Sequence, residues 1–244
     1  MLKGIAAAAS GMLPQLKRQE VITNNLANAG TAGYKRDRLF VQQLDRARAG
    51  AVPTEADWQA PSVLGVQVDF STGPMEQTGN PLDIAIAGDG FFVVSAPDGE
   101  RYTRNGHFVL REDGTLVTAD DNPVLGDGGE IRLPDGNPEI APDGSISLQG
   151  QRLGKLRIVQ FADPNVLVRA GSSLFAAGNP GPGPEDMPSP NLRQGFLERS
   201  NVNTIEEMVS MITTFRFYES DQRAIQMQDA ALGRVVNELG RVPL

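Results

Sequence analysis

The sequence predicts an α+β fold in which an N-terminal and a C-terminal helix form a coiled-coil-like region and flank an all-β central domain. Apolar residues recur at helical spacing near each end of the 244-residue chain. Between them, short β-prone runs alternate with Asp-Gly pairs, which favour tight turns. We therefore divide the chain into an N-terminal helical region (1–33), an extended connector (34–80), an all-β domain (81–190) and a C-terminal helical region (191–244).

The N-terminal segment carries apolar and small residues in alternating steps of three and four, the spacing of one helix face. These positions are Leu2, Ile5, Ala9, Met12, Leu16, Gln19, Thr23 and Leu26. Pro14 lies inside the pattern and has no amide hydrogen, so we expect it to kink this helix or to split it in two. The pattern fades at Asn28, where a turn-forming string begins.

The C-terminal segment predicts a second, longer amphipathic helix from Asn203 to Leu239. Asn203 can cap the first turn, with Glu206 at the spacing of a capping box, and Gly240 and Pro243 should end the helix. The apolar stripe consists of Ile205, Met208, Ile212, Phe215 and Tyr218, and then of Ile225, Leu232, Val235 and Leu239. The heptad pattern drifts between these two parts, which indicates a stutter or a change of partner.

The connector shows little periodicity and predicts one or two strands, for example from Gly65 to Phe70. The central domain predicts strands at Asp83–Ala87, Phe91–Ser95, Arg101–Thr103, His107–Arg111, Leu116–Ala119, Ile146–Leu148 and Gly154–Phe161. Asp-Gly pairs begin at Asp89, Asp98, Asp113, Asp127, Asp135 and Asp143, and we interpret them as turns rather than calcium ligands. Residues 178–190 are rich in Pro and Gly and are expected to form a loop.

The charge distribution excludes some classes of partner. Residues 50–190 hold twenty acidic and eight basic residues, whereas residues 1–49 hold eight basic and three acidic residues. The acidic middle disfavours nucleic acid, and the basic segment has no patch dense enough to bind it. Because the longest apolar runs are far shorter than the roughly 18 residues of a membrane span, we expect a chain that is not membrane-embedded, and no cleavable signal peptide is evident.

The sequence contains little that indicates catalysis. Without cysteine, thiolate chemistry and cysteine-bound zinc are excluded, and the single histidine, His107, lies in a β-prone run. We expect no metal, no cofactor and no small-molecule substrate, and we do not expect an enzyme. A carboxylate-dependent glycosidase or a carbohydrate-binding β domain stays open as an alternative, since acidic side chains are available at Glu112, Asp113, Asp120 and Asp121.

Motifs at both ends and in the middle carry a family resemblance. The string Asn24-Asn25-Leu26-Ala27-Asn28, followed by Gly33-Tyr34-Lys35, closes the first predicted helix, and Ser200-Asn201-Val202-Asn203 opens the last. Together with the central strings 81–94 and 102–108, these motifs resemble the rod and hook family of bacterial flagellar axial proteins. Within that family the middle of the chain is most similar to proximal rod subunits, with distal rod subunits next.

The resemblance implies a structural subunit of the flagellar basal-body rod, which crosses the periplasm. Its partners would be other copies of itself, neighbouring rod proteins and the flagellar type III export apparatus; a hook-type subunit is an alternative. The residues expected at subunit interfaces or in family motifs are Met12, Asn24, Asn25, Leu26, Ala27, Asn28, Gly33, Tyr34, Lys35, Ser200, Asn201, Val202, Asn203, Glu206, Met208, Val209 and Ile212.

Two further expectations concern the isolated chain. Its ends should be loosely ordered until a neighbouring subunit covers them, because each exposes apolar surface. The basic residues Lys35, Arg36, Arg38, Arg46 and Arg48 should form a solvated face or attract an acidic surface on a neighbouring subunit.

Overall fold

The computed structural model describes residues 2–42, 62–134, 136–171, 173–178 and 183–239. Their side chains are described for residues 12–40, 65–134, 136–171, 173–178 and 183–234. Helix α1 (Leu2–Ala27) and helix α2 (Thr204–Leu239) flank a region rich in strands, which confirms the α+β prediction. Of the predicted features, Arg46, Arg48, Asp135, Gly240 and Pro243 lie outside the described residues.

Among the described residues, nineteen short strands lie between the two helices in the sequence. They are β1 (Asp37–Gln42), β2 (Ser62–Val68), β3 (Met75–Gln77), β4 (Ile84–Ile86), β5 (Phe91–Ala96), β6 (Gly99–Thr103), β7 (Phe108–Leu110), β8 (Leu116–Thr118), β9 (Leu125–Gly126), β10 (Gly129–Glu130), β11 (Glu139–Ile140), β12 (Ser145–Leu148), β13 (Gln151–Lys155), β14 (Ile158–Gln160), β15 (Leu167–Arg169), β16 (Leu174–Ala177), β17 (Glu185–Asp186), β18 (Leu192–Gln194) and β19 (Phe196–Glu198).

The chain forms two compact units. The helical unit comprises Met1–Ala27, Asp37–Gln67 and Asn203–Leu244, and the β unit comprises Asn28–Arg36 and Val68–Val202. Both units are therefore built from segments that are distant in the sequence. The four-part division of the sequence given above stays a prediction.

Helix α1 runs through Pro14 without interruption, so the expectation that proline splits this helix is wrong. A proline removes one amide donor, whereas a helix of 26 residues keeps its hydrogen bonds on either side. Pro14 is buried, and α1 packs against α2 within the helical unit, which supports the helix on both sides of the proline.

The covered face of α2 follows an exact heptad. Its members are Glu207, Met211, Thr214, Tyr218, Asp221, Ile225, Gln228 and Leu232, all of them buried or half-buried. Alternate members of this series, which we call the seam, are polar: Glu207, Thr214, Asp221 and Gln228. Polar groups at heptad core positions fix the register of a coiled coil and lower its stability.

The predicted apolar stripe of α2 divides between two faces. Tyr218, Ile225 and Leu232 lie in the seam. Met208, Ile212 and Phe215, by contrast, each follow a seam position by one residue, which is about 100° around the helix, and Ile205 continues their row one turn earlier. These four side chains, which we call the stripe, are 72%, 51%, 55% and 49% exposed. The drift in the heptad pattern therefore marks a change of face.

The largest sheet of the β unit is antiparallel and has the strand order β15-β16-β6-β5-β14-β17. The predicted single strand Gly154–Phe161 is wrong, because this segment contributes to two sheets. Strand β13 joins β11 and β12, whereas β14 joins the large sheet. Between the two strands, Leu156 forms a bridge to Gly126. The predicted loop at 178–190 is also wrong for Glu185–Asp186, which form β17 at the edge of the large sheet.

The Asp-Gly turns are largely confirmed. Gly90, Gly99, Gly114 and Gly144 have positive φ angles, as such turns require. In the Asp127-Gly128 pair, the positive φ falls on the residue after the pair, Gly129. In the described part of the chain, no helix combines the length and the apolar character needed to cross a membrane.

Candidate assembly interface

Asn25 joins the end of α1 to the start of β1. Its side chain is 1% exposed. Its Nδ2 donates to the Asp37 carbonyl oxygen at 2.9 Å, and its Oδ1 accepts from the Asp37 amide at 2.8 Å. The amide side chain therefore replaces a β-strand partner for Asp37, which explains why the sequence needs asparagine at this position.

The same asparagine reaches α2. Asn25 Nδ2 lies 3.4 Å from Glu207 Oε1, and Glu207 is 2% exposed. Asn203 caps α2 as expected, because its Oδ1 accepts from the amides of Ile205 at 3.1 Å and Glu206 at 3.4 Å. The burial of Glu207 was not predicted from the sequence, although its heptad position in the seam is the pattern that indicates it.

A buried cluster of charges fastens two distant parts of the β unit. Lys35 and Glu198 are each 1% exposed, and Lys35 Nζ lies 2.6 Å from Glu198 Oε1. Arg104, which is 3% exposed, places Nη1 3.5 Å from Glu198 Oε2. Burial lowers the pKa of the Lys35 ammonium, and the Glu198 carboxylate opposes that shift.

This arrangement corrects an expectation for the basic segment. Lys35 belongs neither to a solvated face nor to a surface that attracts a neighbouring subunit, because its charge is matched inside its own chain. No residue near Lys35 in the sequence indicates this partner, since Glu198 lies 163 residues away.

Gly33 and Tyr34 pack tightly into the β unit. Gly33 has a φ of +67°, and a Cβ atom there would lie 2.3 Å from the Asn105 amide nitrogen, so only glycine fits. The Gly33 amide donates to the Glu198 carbonyl oxygen at 2.7 Å. Tyr34 is 3% exposed, and the guanidinium of Arg169 lies 4.6 Å from the centre of its ring.

Asn201 holds three backbone segments together. Its Oδ1 accepts from the Arg36 amide at 2.7 Å, and its Nδ2 donates to the carbonyl oxygens of Asp69 at 2.8 Å and Ser71 at 3.0 Å. Ser200 is buried, and its Oγ accepts from the Val202 amide at 3.2 Å. These motif residues therefore organise the interior of the β unit.

Most of the other candidate residues lie on the helical unit, where they are exposed or half-buried. Met208, Val209 and Ile212 are more than half exposed on α2. On α1, Asn24 and Ala27 are exposed, while Met12 and Leu26 are half-buried; Asn28, the first residue of the β unit, is also half-buried. Leu13 and Leu16, which are 66% and 46% exposed, add apolar surface to α1. A group of large apolar side chains that stay exposed in this way is typical of an interaction site.

Two of the four acidic residues considered for glycosidase chemistry, Asp113 and Asp121, have structural partners. Asp113 Oδ1 accepts from the Thr115 amide at 3.0 Å, and this hydrogen bond lowers the pKa of Asp113. A general acid needs the opposite shift. Asp121 pairs with Arg111 at 2.7 Å on the surface, and His107 Nδ1 lies 2.7 Å from Asp83 Oδ1 beside a β-bridge.

Three family models match parts of this chain that together span both helices and the β unit. A flagella basal body rod protein model matches residues 5–35, a flagellar hook protein FlgE/F/G D1 domain model matches residues 85–150, and a flagellar basal body rod FlgEFG protein C-terminal model matches residues 193–239. The first and third contain the motif residues described above.

Individual relatives match over nearly the whole chain. The flagellar basal-body rod protein FlgG of Borreliella burgdorferi is 35% identical, with 99% of this chain and 100% of that protein covered. FlgG of Agrobacterium fabrum is 36% identical over 93% and 96% of the two chains, and FlgF of Caulobacter vibrioides is 33% identical over 93% and 94%. The chain therefore belongs to the flagellar FlgE/F/G family of structural rod and hook proteins.

Proposed function

We propose that this chain is a rod subunit that assembles helically through the exposed faces of its terminal helices, with copies of itself and with neighbouring rod proteins. The observation that carries the proposal is the stripe of α2, whose four large apolar side chains remain about half exposed or more. Surface of this kind is stabilised when another molecule covers it.

The two faces of α2 differ in the way that this proposal requires. The seam toward α1 is polar at every second member, so the contact within the chain contributes less than an apolar seam of the same length. Full burial of one large apolar side chain contributes about 1.5–3 kcal/mol, so covering the half-exposed stripe contributes on the order of 1 kcal/mol per residue. The stripe is therefore the stronger candidate for contacts between subunits.

The proposal extends to the geometry of assembly and to location. Head-to-tail contacts between different faces of identical subunits generate a helix when they do not close into a ring. On α1, Met12, Asn24, Leu26 and Ala27 would contribute to the matching surface. The subunit would reach the periplasmic rod through the flagellar type III export apparatus without a cleaved signal peptide, as its family resemblance implies.

For the position along the rod, we infer a proximal, FlgF-like place. The alignment with FlgG of Borreliella burgdorferi spans 267 positions against 244 residues, so at least 23 positions are gaps in this chain. The alignment with FlgF of Caulobacter vibrioides spans 231 positions and covers 93% of this chain, so it needs far fewer gaps. The lengths therefore support the FlgF-like place, which the similarity of the central strings also favours.

A distal, FlgG-like place is the second candidate. It is supported by the names of the relatives, since FlgG is the commonest name among them. Both candidates use the same terminal helices and differ in the neighbouring proteins.

Two adjacent substitutions test the assembly function. Ile212→Asp places a charge in the stripe, and Thr213→Asp places the same charge on the next residue, which is also exposed but lies off the stripe. In the source bacterium, the gene for each variant replaces the wild-type gene. We expect Ile212→Asp to remove the chain from purified basal bodies and to abolish swimming, and Thr213→Asp to be incorporated. Equal incorporation of two soluble, equally stable variants would contradict the proposal.

The absence of cysteine provides a test of position. A single cysteine introduced at Ile205, followed by thiol cross-linking of assembled basal bodies and mass spectrometry, identifies the neighbouring subunits. Cross-links to proteins at the base of the rod would support the proximal place, and cross-links to hook-proximal proteins would support the distal place.

A further inference from the structure

We propose that residues 191–201, which we call the strap, close the fold of the β unit, so that the rest of the unit has no stable fold until the strap has docked. The strap contains β18 and β19 and follows 190 residues of chain. The proposal concerns the folding of the β unit itself and goes beyond the assembly function.

The strap supplies the missing partner of a fully buried strand. Ile84, Ala85 and Ile86 of β4 are 0%, 0% and 1% exposed. The sheet that contains β4 has β18 as its other strand, with Leu192 opposite Ile86. Without the strap, backbone groups of β4 would be buried without hydrogen bonds, which is costly.

One side chain of the strap connects two further segments. Gln194 Nε2 donates to the carbonyl oxygens of Pro81 at 2.8 Å and Pro138 at 2.7 Å, and its Oε1 accepts from the Ile140 amide at 3.2 Å. The segments that contain Pro81 and Pro138 are more than fifty residues apart, so this amide joins the entry of β4 to β11.

The strap also carries the charge that matches two buried cations. Glu198 contacts both Lys35 and Arg104, and its Oε1 also accepts from the Gly73 amide at 2.8 Å. A β unit that lacked the strap would bury an ammonium and a guanidinium without this carboxylate. Removing one partner of a buried charge cluster is strongly destabilising.

The consequence is a delay in folding. A chain that emerges with its N-terminus first cannot complete the β unit until residue 198 has emerged, because β4, Gln194 and the charge cluster all require the strap. For a chain exported through a narrow channel, this delay keeps the β unit unfolded during transit; that last step rests on the proposed function.

Native-state hydrogen exchange of the isolated full-length protein tests the proposal. The Leu192 and Gly195 amides of the strap donate to the Pro142 and Asp83 carbonyl oxygens. We expect these amides to be protected to the same degree, within about twofold, as those of β5, because the strap opens only when the unit unfolds. Exchange of the strap more than roughly tenfold faster than that of β5 would overturn the proposal.

A matched pair of variants extends the test. Glu198→Gln should reduce protection in the strap and in β5 by the same factor, of roughly a hundredfold or more. Glu76→Gln removes the surface partner of Arg199 in the same strap and should change protection by less than about threefold. Faster exchange of the strap alone in Glu198→Gln, with β5 unchanged, would contradict the proposal. Both hydrogen-exchange measurements use the isolated chain. A negative result for the strap is therefore distinguishable from a failure of the chain to assemble into the rod.

Discussion

Asn25 and Glu207, which are 182 residues apart in the sequence, meet in the interior of the helical unit. The contact brings the last turn of α1 to the first turn of α2, while the same asparagine side chain pairs with the backbone of Asp37 in β1. Three chain segments are thereby joined at a single side chain. The Asn-Asn-Leu-Ala-Asn motif thus has a structural explanation at its second position.

The first prediction concerns this junction. Asn25→Ala should lower the free energy of unfolding of the helical unit by about 1–3 kcal/mol, because it leaves the buried amide and carbonyl of Asp37 without their partner. The measurement is urea unfolding followed by the far-ultraviolet circular dichroism of the helices. Arg18→Ala, at an exposed position of the same helix, is the control and should stay within about 0.5 kcal/mol of wild type. Equal losses in both variants would refute the role of Asn25.

The second prediction concerns the seam. Gln228 places Oε1 in the interior without a hydrogen-bond partner among the side chains that the structure describes, and Gln228→Leu puts an apolar residue at that heptad position. The helical unit should gain about 1 kcal/mol, since an unpaired buried polar atom is removed. Thermal unfolding of the two proteins compares them directly, and a lower midpoint for the variant would show that the polar seam stabilises the helix pair.

The third prediction contrasts two glycines of the β unit. Gly33→Ala should destabilise the unit by more than about 1 kcal/mol, because its positive φ disfavours alanine, and the clash with the Asn105 amide adds to this cost. At Gly30 a Cβ atom would meet nothing within 4 Å, so Gly30→Ala is the matched control. Urea midpoints from near-ultraviolet circular dichroism measure the difference. Indistinguishable midpoints would mean that the loop after α1 accommodates a side chain at both positions.

The fourth prediction concerns acid. Backbone amides of Thr115 and Ser145 hold the pKa values of Asp113 and Asp143 below their usual 3.8. Because the folded-state pKa is the lower one, the stability from these carboxylates is present above about pH 3.8 and is lost as pH falls through the lowered values.

The corresponding experiment compares acid titrations. A double Asp113→Asn and Asp143→Asn variant keeps an oxygen acceptor at each turn but has no carboxylate to protonate. Its stability should therefore depend less on pH than that of wild type below pH 3.8. Parallel curves for the two proteins would assign acid sensitivity to other groups.

The features that could be predicted from the sequence are those with local causes. The cap of Asn203 and most Asp-Gly turns depend on residues within a few positions, and both follow from the residue types alone. The phase of α2 could not be predicted in the same way. Its most apolar stripe is not the face that contacts α1, because polar residues such as Glu207 and Thr214 occupy the seam, where Glu207 contacts Asn25.

The pairing of charges that are distant in the sequence could likewise not be predicted. Lys35 follows a glycine-rich turn beside other basic residues, a context typical of a solvated face, and nothing nearby indicates that Glu198 will cover it. The strand boundaries near Leu156 depend on a bridge to Gly126, which is equally non-local. In each of these places the outcome depends on which distant segments meet.

The most direct test of the assembly account is the accessibility of position 212 before and after incorporation. An Ile212→Cys variant supplies the only thiol in a chain without cysteine, and the side chain there is 55% exposed in the isolated subunit. We predict rapid maleimide labelling of the purified subunit and strong protection in purified basal bodies that contain it. Equally rapid labelling in both states would show that no neighbour covers the stripe and would contradict the account.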